Sequence, residues 1–167
     1  LFRSDNFPYN HLAWFNLGAA YQGIKLYEKA IDAYNYAIVI DEKFDYAYRN
    51  MGDAFIRLRR YKEAIETLEK VLTLTRPEEV IYEAIGYCYD RIKNYSQARL
   101  YYRKAIHLNA SNTMLFYKMA CAYFNDENYS SCSKQLDQVP ETAITDANFW
   151  KSANDLKLAC NYFYTFL

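Results

Sequence analysis

The residues whose types could support catalysis are few in this sequence and stand apart from one another. Two histidines, His11 and His107, occur, and neither has a nucleophile or a zinc-type partner at a usual spacing. A search for a phosphate-binding glycine loop, a nucleophile elbow, a zinc-protease helix and a paired-carboxylate cleft finds none. We therefore expect no catalytic residue, no metal site and no cofactor, and we interpret the chain as a protein other than an enzyme.

Four cysteines lie in apolar, helical contexts and lack the C-x-x-C spacing. They are Cys88, Cys121, Cys132 and Cys160. Small buried thiols in a reducing compartment are the favoured interpretation, ahead of disulfide or metal use.

The charge balance limits the classes of partner. The chain has 20 basic and 20 acidic residues, so its formal net charge is zero, whereas a generic binder of nucleic acid or acidic membranes shows a basic excess. The sequence holds no apolar run long enough to span a membrane, and its start does not resemble a signal peptide. We expect no nucleic-acid binding and no membrane insertion. A cytoplasmic location is favoured, and the periplasm or another compartment stays open because the first residue is not methionine.

A repeat of 34 residues organises the elements that must position these side chains. Counting from Gly18 in this step reaches Gly52, Gly86 and Ala120. The same step relates Tyr21 to Phe55, Tyr89 and Tyr123, and Ala30 to Ala64, Ala98 and Cys132. Self-similarity at such a period indicates an array of structural repeats.

Each repeat contains two helical patterns separated by a short polar break. In the first half, Trp14, Leu17, Gly18 and Tyr21 share one helix face. In the second half, the shared face holds Ala30, Tyr34, Ala37 and Ile38. The unit is therefore predicted to be a pair of antiparallel helices.

These boundaries divide the whole chain. Residues 1–10 are predicted to be the end of a preceding repeat or a cap, and residues 11–44, 45–78, 79–112 and 113–146 to be four repeats. After the fourth repeat the pattern slips by about five residues, and residues 147–167 are predicted to be the first helix of a partial fifth repeat. We expect the chain either to be a fragment of a longer array at both ends or to use its outer helix as a cap.

The pattern W-x-x-L-G-x-x-Y of the first unit, followed by Ala30, Tyr34 and Ala37, resembles the tetratricopeptide repeat (TPR). Departures such as Met51 for leucine and Ala120 for glycine keep the apolar or small character of the position. The resemblance implies an all-α fold, a right-handed superhelical α-solenoid of antiparallel helix pairs. It also implies that the first helices line a concave groove that holds an extended peptide or a partner helix.

Helical spacing predicts which residues of the first helices face that groove. Unit by unit they are Leu12, Phe15 and Ala19; Tyr46, Arg49, Asp53 and Ile56; Val80, Glu83, Tyr87 and Asp90; and Met114, Tyr117, Cys121 and Phe124. We expect partner contact above all from Phe15, Tyr46, Arg49, Asp53, Glu83, Tyr87, Asp90, Tyr117 and Phe124, because aromatic side chains and arginine commonly anchor interfaces. The alternative is that some of them only pack against a neighbouring helix.

Two narrower binding modes receive less support. Some chaperone-binding members of the family hold a carboxylate in a clamp of lysine, asparagine and arginine side chains, and only Asn50 matches it in the first three units. The stretch "RLRRYK", Arg57 to Lys62, lies where one helix turns into the next. A solvated turn is favoured there over contact with an anion or an acidic peptide.

The sequence thus predicts a non-catalytic scaffold that binds a protein or peptide partner. One alternative is a repeat segment of a larger enzyme or signalling protein whose active domain lies elsewhere. Another is self-association through the C-terminal helix, around Phe149, Trp150 and residues 163–167.

Overall fold

The computed structural model describes residues 10–126, and within this range every regular element is a helix. The helices are α1 (His11–Gly23), α2 (Tyr27–Ile40), α3 (Asp45–Arg57), α4 (Tyr61–Leu74), α5 (Glu79–Arg91), α6 (Tyr95–Leu108) and α7 (Thr113–Asn125). The helices that open the repeats, α1, α3, α5 and α7, begin at the residues where the sequence places repeats 1 to 4. The prediction of an all-α fold of helix pairs is confirmed.

The chain divides into two compact units, the first ending at Pro77 and the second beginning at Glu78. In the first unit α1 packs against α2 and α3 against α4, while α2 and α3 join the two pairs and α1 also touches α3. In the second unit α5 packs against α6, and α6 packs against α7. Each unit is thus built from neighbouring helices that are consecutive or nearly so along the chain.

The cores consist of the small and apolar residues that recur every 34 positions. In the first unit the fully buried side chains include Ala30, Tyr34, Ala54, Ala64 and Val71. In the second unit one cluster joins α6 and α7 and consists of Ala98, Tyr102, Ala105, Leu115, Met119 and Ala122. Alanine recurs because it lets helix axes approach closely. Larger recurrent side chains such as Tyr34 and Tyr102 fill the remaining space.

Each helix pair turns through the same backbone motif. At the first turn the Leu26 N–H donates to the Tyr21 carbonyl at 2.9 Å and the Lys25 N–H donates to the Gln22 carbonyl at 3.0 Å. These two bonds define a Schellman motif, in which the residue after the helix takes a left-handed conformation. Lys25, Arg59 and Lys93 occupy that position with φ of 62°, 59° and 62°. The turn therefore repeats as faithfully as the helices, although none of the three residues is glycine.

Helix starts are capped where an asparagine precedes the helix. Asn10 accepts hydrogen bonds from the backbone N–H groups of Leu12 and Ala13, and Asn112 accepts one from Met114. Such caps satisfy donors that the first turn of a helix leaves unpaired. These caps fix the residues at which α1 and α7 begin.

The prediction of buried, free thiols is correct at one described cysteine and wrong at another. Cys88 is a free thiol, and it is fully buried, which raises its pKa to about 12. Cys121 is buried as well but is disulfide-bonded, so the expectation of a free thiol is wrong there. Cys132 and Cys160 lie outside the described residues.

Candidate functional site

An aromatic cluster lies at the start of α1 and α3 in the first unit. It consists of His11, Phe15, Phe44 and Tyr46. The Phe44 ring is 4.9 Å from His11 and 5.2 Å from Phe15, edge-on in both cases, and 5.9 Å from Tyr46. These separations are those of favourable ring pairs. Three of the rings are half-buried, whereas Tyr46 is 60% exposed, so the cluster presents one large aromatic side chain to the surface.

Arg49 lies one helical turn after Asp45 and is held in place by several groups. Its Nε–H donates to Asp45 Oδ2 at 2.9 Å, and an Nη2–H reaches Thr75 Oγ1 at 3.4 Å. The guanidinium carbon also lies 6.0 Å from the centre of the Tyr46 ring. These hydrogen bonds hold the guanidinium beside the Tyr46 ring, so Arg49 and Tyr46 form a pair at the edge of the aromatic cluster.

A hydrogen-bond network connects α1, α2 and α3 behind this surface. The Tyr34 hydroxyl donates to Gln22 Oε1 at 2.7 Å, and the Asn50 side chain donates to the Tyr34 oxygen at 3.3 Å. Gln22 donates in turn to Asp53 Oδ2 at 2.7 Å. Burial raises the pKa of the Tyr34 hydroxyl, the hydrogen bond from Asn50 opposes this rise, and the Asp53 charge adds to it. The network ties the two first helices of the unit to each other.

In the second unit the equivalent tie is an ion pair. Lys118 on α7 donates to Glu83 Oε1 on α5 at 2.5 Å, and both side chains are about one quarter exposed. On the same two helices Val80 and Met114 are exposed apolar side chains. The surface of α5 and α7 thus combines a fixed charge pair with apolar groups.

The predicted groove residues therefore fall into three groups. Phe15, Tyr46 and Arg49 come together in the aromatic cluster and its edge. Asp53, Glu83 and Asp90 are held within their own units, since the first two bind side chains of neighbouring helices and Asp90 is only 5% exposed. Tyr87, Tyr117 and Phe124 are half-buried and have partners of their own. Cys121, predicted to face the groove, is buried.

Several residues shape these surfaces in ways that the sequence did not predict. Phe44 and His11 complete the aromatic cluster, and Gln22 and Lys118 connect first helices. Phe44 lies in the linker "DEKFD", where helical spacing gives no orientation. Lys118 could have been found, because Glu83 and Lys118 occupy adjacent positions in successive repeats and carry opposite charges. Asn50, the one match to the carboxylate clamp, donates to Tyr34 instead.

The described residues supply no obvious catalytic or metal-binding arrangement. Among residues 10–126 no group of three or more His, Cys, Asp or Glu side chains could hold a metal ion. Within the same range no helix is both long and apolar enough to cross a bilayer. The C-terminal helix proposed for self-association lies outside the described residues.

The family model for the tetratricopeptide repeat protein 21 C-terminal ARM domain matches residues 17–143. No curated protein sequence matches the chain.

Solved structures share the fold at low sequence identity. MamA is 22% identical with a TM-score of 0.77, and the match covers 87% of this chain and 79% of MamA. YrrB, described as a TPR protein with an unusual peptide-binding site, is 19% identical with a TM-score of 0.73, and the match covers 90% of this chain and 78% of YrrB. The TPR domain of Arabidopsis OM64 is 20% identical with a TM-score of 0.62, and the match covers 67% of this chain and 93% of that domain. The chain therefore shares the helix-pair fold of TPR proteins.

Proposed function

We propose that this chain, which belongs to the tetratricopeptide repeat protein 21 C-terminal ARM domain family, is a non-catalytic interaction module that binds a peptide or partner helix. The binding surface in the first unit is the face of α1 and α3 that carries the aromatic cluster. The observation that supports this most is the exposure of Tyr46 beside rings and a guanidinium that are already held in place. Solvent-facing aromatics on a rigid base are frequent anchors of protein interfaces.

The rigidity of this surface favours binding. A side chain that is ordered before its partner arrives loses little conformational entropy on association, so more of the contact energy appears as affinity. Arg49 is bonded to Asp45, while Phe44 and Phe15 pack against each other below Tyr46. Tyr46 and Leu12, which are 60% and 49% exposed, still have apolar area to bury.

The chemistry of the surface fits an apolar side chain within a peptide or helix. Tyr46 and Leu12 offer apolar area, and the Tyr46 hydroxyl and Arg49 provide hydrogen-bonding groups at the rim. The structural neighbour YrrB, a TPR protein with a peptide-binding site, supports this type of partner by fold analogy alone. We include Phe15 as the support of the cluster rather than as its outermost contact.

The second unit offers a comparable surface on α5 and α7. Val80 and Met114 provide exposed apolar groups, and the Glu83–Lys118 pair lies on the same helices. Tyr87, Tyr117 and Phe124 are the aromatic residues proposed to contact a partner there. Asp53 in the first unit, which is bonded to Gln22, and Asp90 in the second, which is 5% exposed, are proposed to act through their own helices and not by direct contact with a partner.

The test is a selection of peptides from a displayed library against the whole chain, followed by measurement of their affinities. Tyr46→Ala is expected to weaken binding of the selected peptides by about tenfold or more, as removal of an interface anchor does. The matched control is Tyr36→Ala, because Tyr36 on α2 is similarly exposed, at 56%, but lies on a second helix. We expect this control to change affinity by less than about twofold.

Two results would contradict the proposal. One is a set of selected peptides whose affinity is unchanged by Tyr46→Ala and by Val80→Ser. The other is an equal loss with Tyr36→Ala, which would move the binding surface to the second helices. Unfolding curves of each variant distinguish a lost contact from a lost fold.

A further inference from the structure

Two turns of the first unit carry an excess of basic side chains. Residues 25–29 and 57–63 form the turns α1–α2 and α3–α4 with the starts of α2 and α4, and together we call them the basic edge. Its basic residues are Lys25, Lys29, Arg57, Arg59, Arg60 and Lys62, and its acidic residues are Glu28 and Glu63. In a chain of zero net charge, such a local excess is a distinct surface.

The two turns lie side by side. The Arg60 Nη1–H donates to Glu28 Oε2 at 2.9 Å, across the gap between the start of α4 and the start of α2. Arg60 also binds Glu63 through a second pair of atoms at 2.9 Å. One arginine therefore engages both acidic residues of the basic edge, and six basic against two acidic side chains leave the edge a net excess of four positive charges.

The remaining cations project into solvent. Lys25, Arg59 and Lys62 are exposed, and no ion pair or side-chain hydrogen bond of theirs is found within residues 10–126. Arg57 has only a long contact of 3.6 Å to Asp53, and both groups are well exposed. Exposed pairs of this kind leave most of a charge available to a partner.

Two of these exposed cations lie at backbone positions that favour glycine. Lys25 and Arg59 stand at the left-handed position of their turns, where glycine is favoured because it has no Cβ. The same position in the second unit, Lys93, is basic as well. A cation close to a helix C-terminus interacts favourably with the helix dipole, but an uncharged glycine there avoids the strain altogether. Basic side chains at strained, exposed positions suggest a use for the charge.

Apolar side chains accompany the cations. Ile24 is 66% exposed and Leu26 is 42% exposed, so Lys25 stands between two uncovered apolar groups. A nucleic acid backbone would use the cations and leave these groups in water, whereas an acidic protein segment with apolar residues can use both. We propose that the basic edge docks an acidic segment of a partner protein in which glutamate or aspartate alternates with leucine-like residues. This surface is separate from the aromatic cluster.

The probe is a fluorescently labelled peptide of glutamates interspersed with leucines, bound to the whole chain and followed by anisotropy. The test variant is Lys25→Asn, Arg59→Asn and Lys62→Gln combined, in which asparagine is chosen because it tolerates the left-handed conformation. The matched control is Lys43→Gln, Lys70→Gln and Arg76→Gln combined, which removes the same charge at exposed positions of the same unit. The test variant should bind about tenfold more weakly and the control about twofold or less, because screened long-range attraction falls steeply with distance.

A third variant tests whether charge or side-chain identity matters. Lys25→Arg, Arg59→Lys and Lys62→Arg combined keep every charge and should keep the affinity. Ile24→Ser should weaken binding of the leucine-containing peptide but leave a glutamate–serine peptide unchanged.

Several results would overturn the inference. The first is that the glutamate–leucine peptide does not bind. The second is that the test variant and the control lose the same affinity for it. The third is that the charge-preserving variant loses affinity. Tighter binding of a single-stranded oligonucleotide or of anionic lipid vesicles than of the peptide would assign the edge to a different class of partner and would equally overturn it. Because Tyr46→Ala leaves the basic edge intact, failure of the groove proposal and failure of this one are distinguishable.

Discussion

The ring of Tyr34 occupies the space that Gly18 leaves free. A Cβ at position 18 would lie 2.5 Å from Tyr34 Cε1 and 2.7 Å from Cδ1, well inside van der Waals contact. The same relationship recurs between Gly52 and Leu68 and between Gly86 and Tyr102. In α1, α3 and α5 the glycine at this repeat position thus faces one large side chain of the second helix in the same pair.

Gly18→Ala is therefore expected to destabilise the protein. The methyl group would displace the ring of Tyr34, which is fully buried, and overpacking of this kind costs about 1–3 kcal/mol. The higher helix propensity of alanine returns about 1 kcal/mol, so we expect a net loss of up to about 2 kcal/mol in the free energy of unfolding. Gly18→Leu should lose more. Urea unfolding of the whole chain measures both.

The control for this prediction is Gly23→Ala in the same helix. A Cβ at Gly23 would meet nothing within 4 Å, so only the propensity gain remains. We expect stability to rise by about 0.5 kcal/mol. Equal effects of the two substitutions, or no loss with Gly18→Leu, would contradict the packing role of Gly18.

The helix pairs could be predicted from the sequence because the repeat imposes the same spacing on several independent features. Gly18, Tyr21 and Ala30 each recur at the same spacing. Each repeat must therefore contain a helix start, a close helix contact and a turn in the same order. The turn itself was harder to predict. Lys25 at its left-handed position carries no glycine signal, and only the backbone hydrogen bonds reveal the motif.

The candidate sites could be predicted only in part. Helical spacing identifies the face on which Phe15, Tyr46 and Arg49 lie, since side-chain direction follows from position in the helix. It cannot show how a linker residue such as Phe44 packs, nor whether a carboxylate such as Asp53 is already bonded by a neighbour. Those facts depend on tertiary contacts that one sequence does not encode in its periodicity.

Lys93→Gly is expected to stabilise the second unit. Lys93 has a φ of 62°, and the turn is held by the Lys93 N–H to the Asp90 carbonyl at 2.9 Å and the Asn94 N–H to the Tyr89 carbonyl at 2.8 Å. Glycine removes a conformational cost of about 1–2 kcal/mol, offset in part by its greater freedom in the unfolded chain. We expect a net gain of about 0.5–1 kcal/mol.

The matched variant for this position is Lys93→Ala. Alanine loses the charge but keeps the Cβ, so the strain stays and stability should not rise. If alanine stabilised the protein as much as glycine, relief of charge repulsion rather than of backbone strain would be the cause. Thermal unfolding of the three proteins in the same buffer makes the comparison.

The ion pair between Glu83 and Lys118 is expected to contribute measurably to stability. Its side chains are about three quarters buried and the bond is 2.5 Å long. A double-mutant cycle with Glu83→Gln and Lys118→Gln should give a coupling energy of about 1 kcal/mol, at the upper end for pairs near the surface. The coupling should shrink as salt is added, because screening weakens partly exposed pairs.

The comparison pair is Asp53 with Arg57, whose atoms are 3.6 Å apart and whose side chains are far more exposed. We expect its coupling energy to lie near zero, within about 0.3 kcal/mol. A coupling as large as that of Glu83 with Lys118 would show that burial does not set the strength of these pairs.

The buried thiol of Cys88 should make the protein less stable in alkali. Its pKa is raised to about 12 in the folded protein from 9.0 in the unfolded chain, because burial disfavours the thiolate. Below pH 9.0 both states hold the proton, and the full contribution to stability is present. As the pH rises from there toward 12, the unfolded chain loses the proton first, so the free energy of unfolding falls by up to about 1.4 kcal/mol per pH unit.

Cys88→Ala removes this titration. The variant should be less stable at neutral pH by about 1 kcal/mol, because a small cavity is left, but its stability should fall less between pH 9 and pH 11. Urea unfolding of both proteins at several pH values, without reductant so that the Cys121 disulfide stays intact, measures the two slopes. Parallel pH profiles would show that Cys88 is not the titrating group, and the alkaline loss would then belong to tyrosines such as Tyr34, whose pKa is also raised by burial.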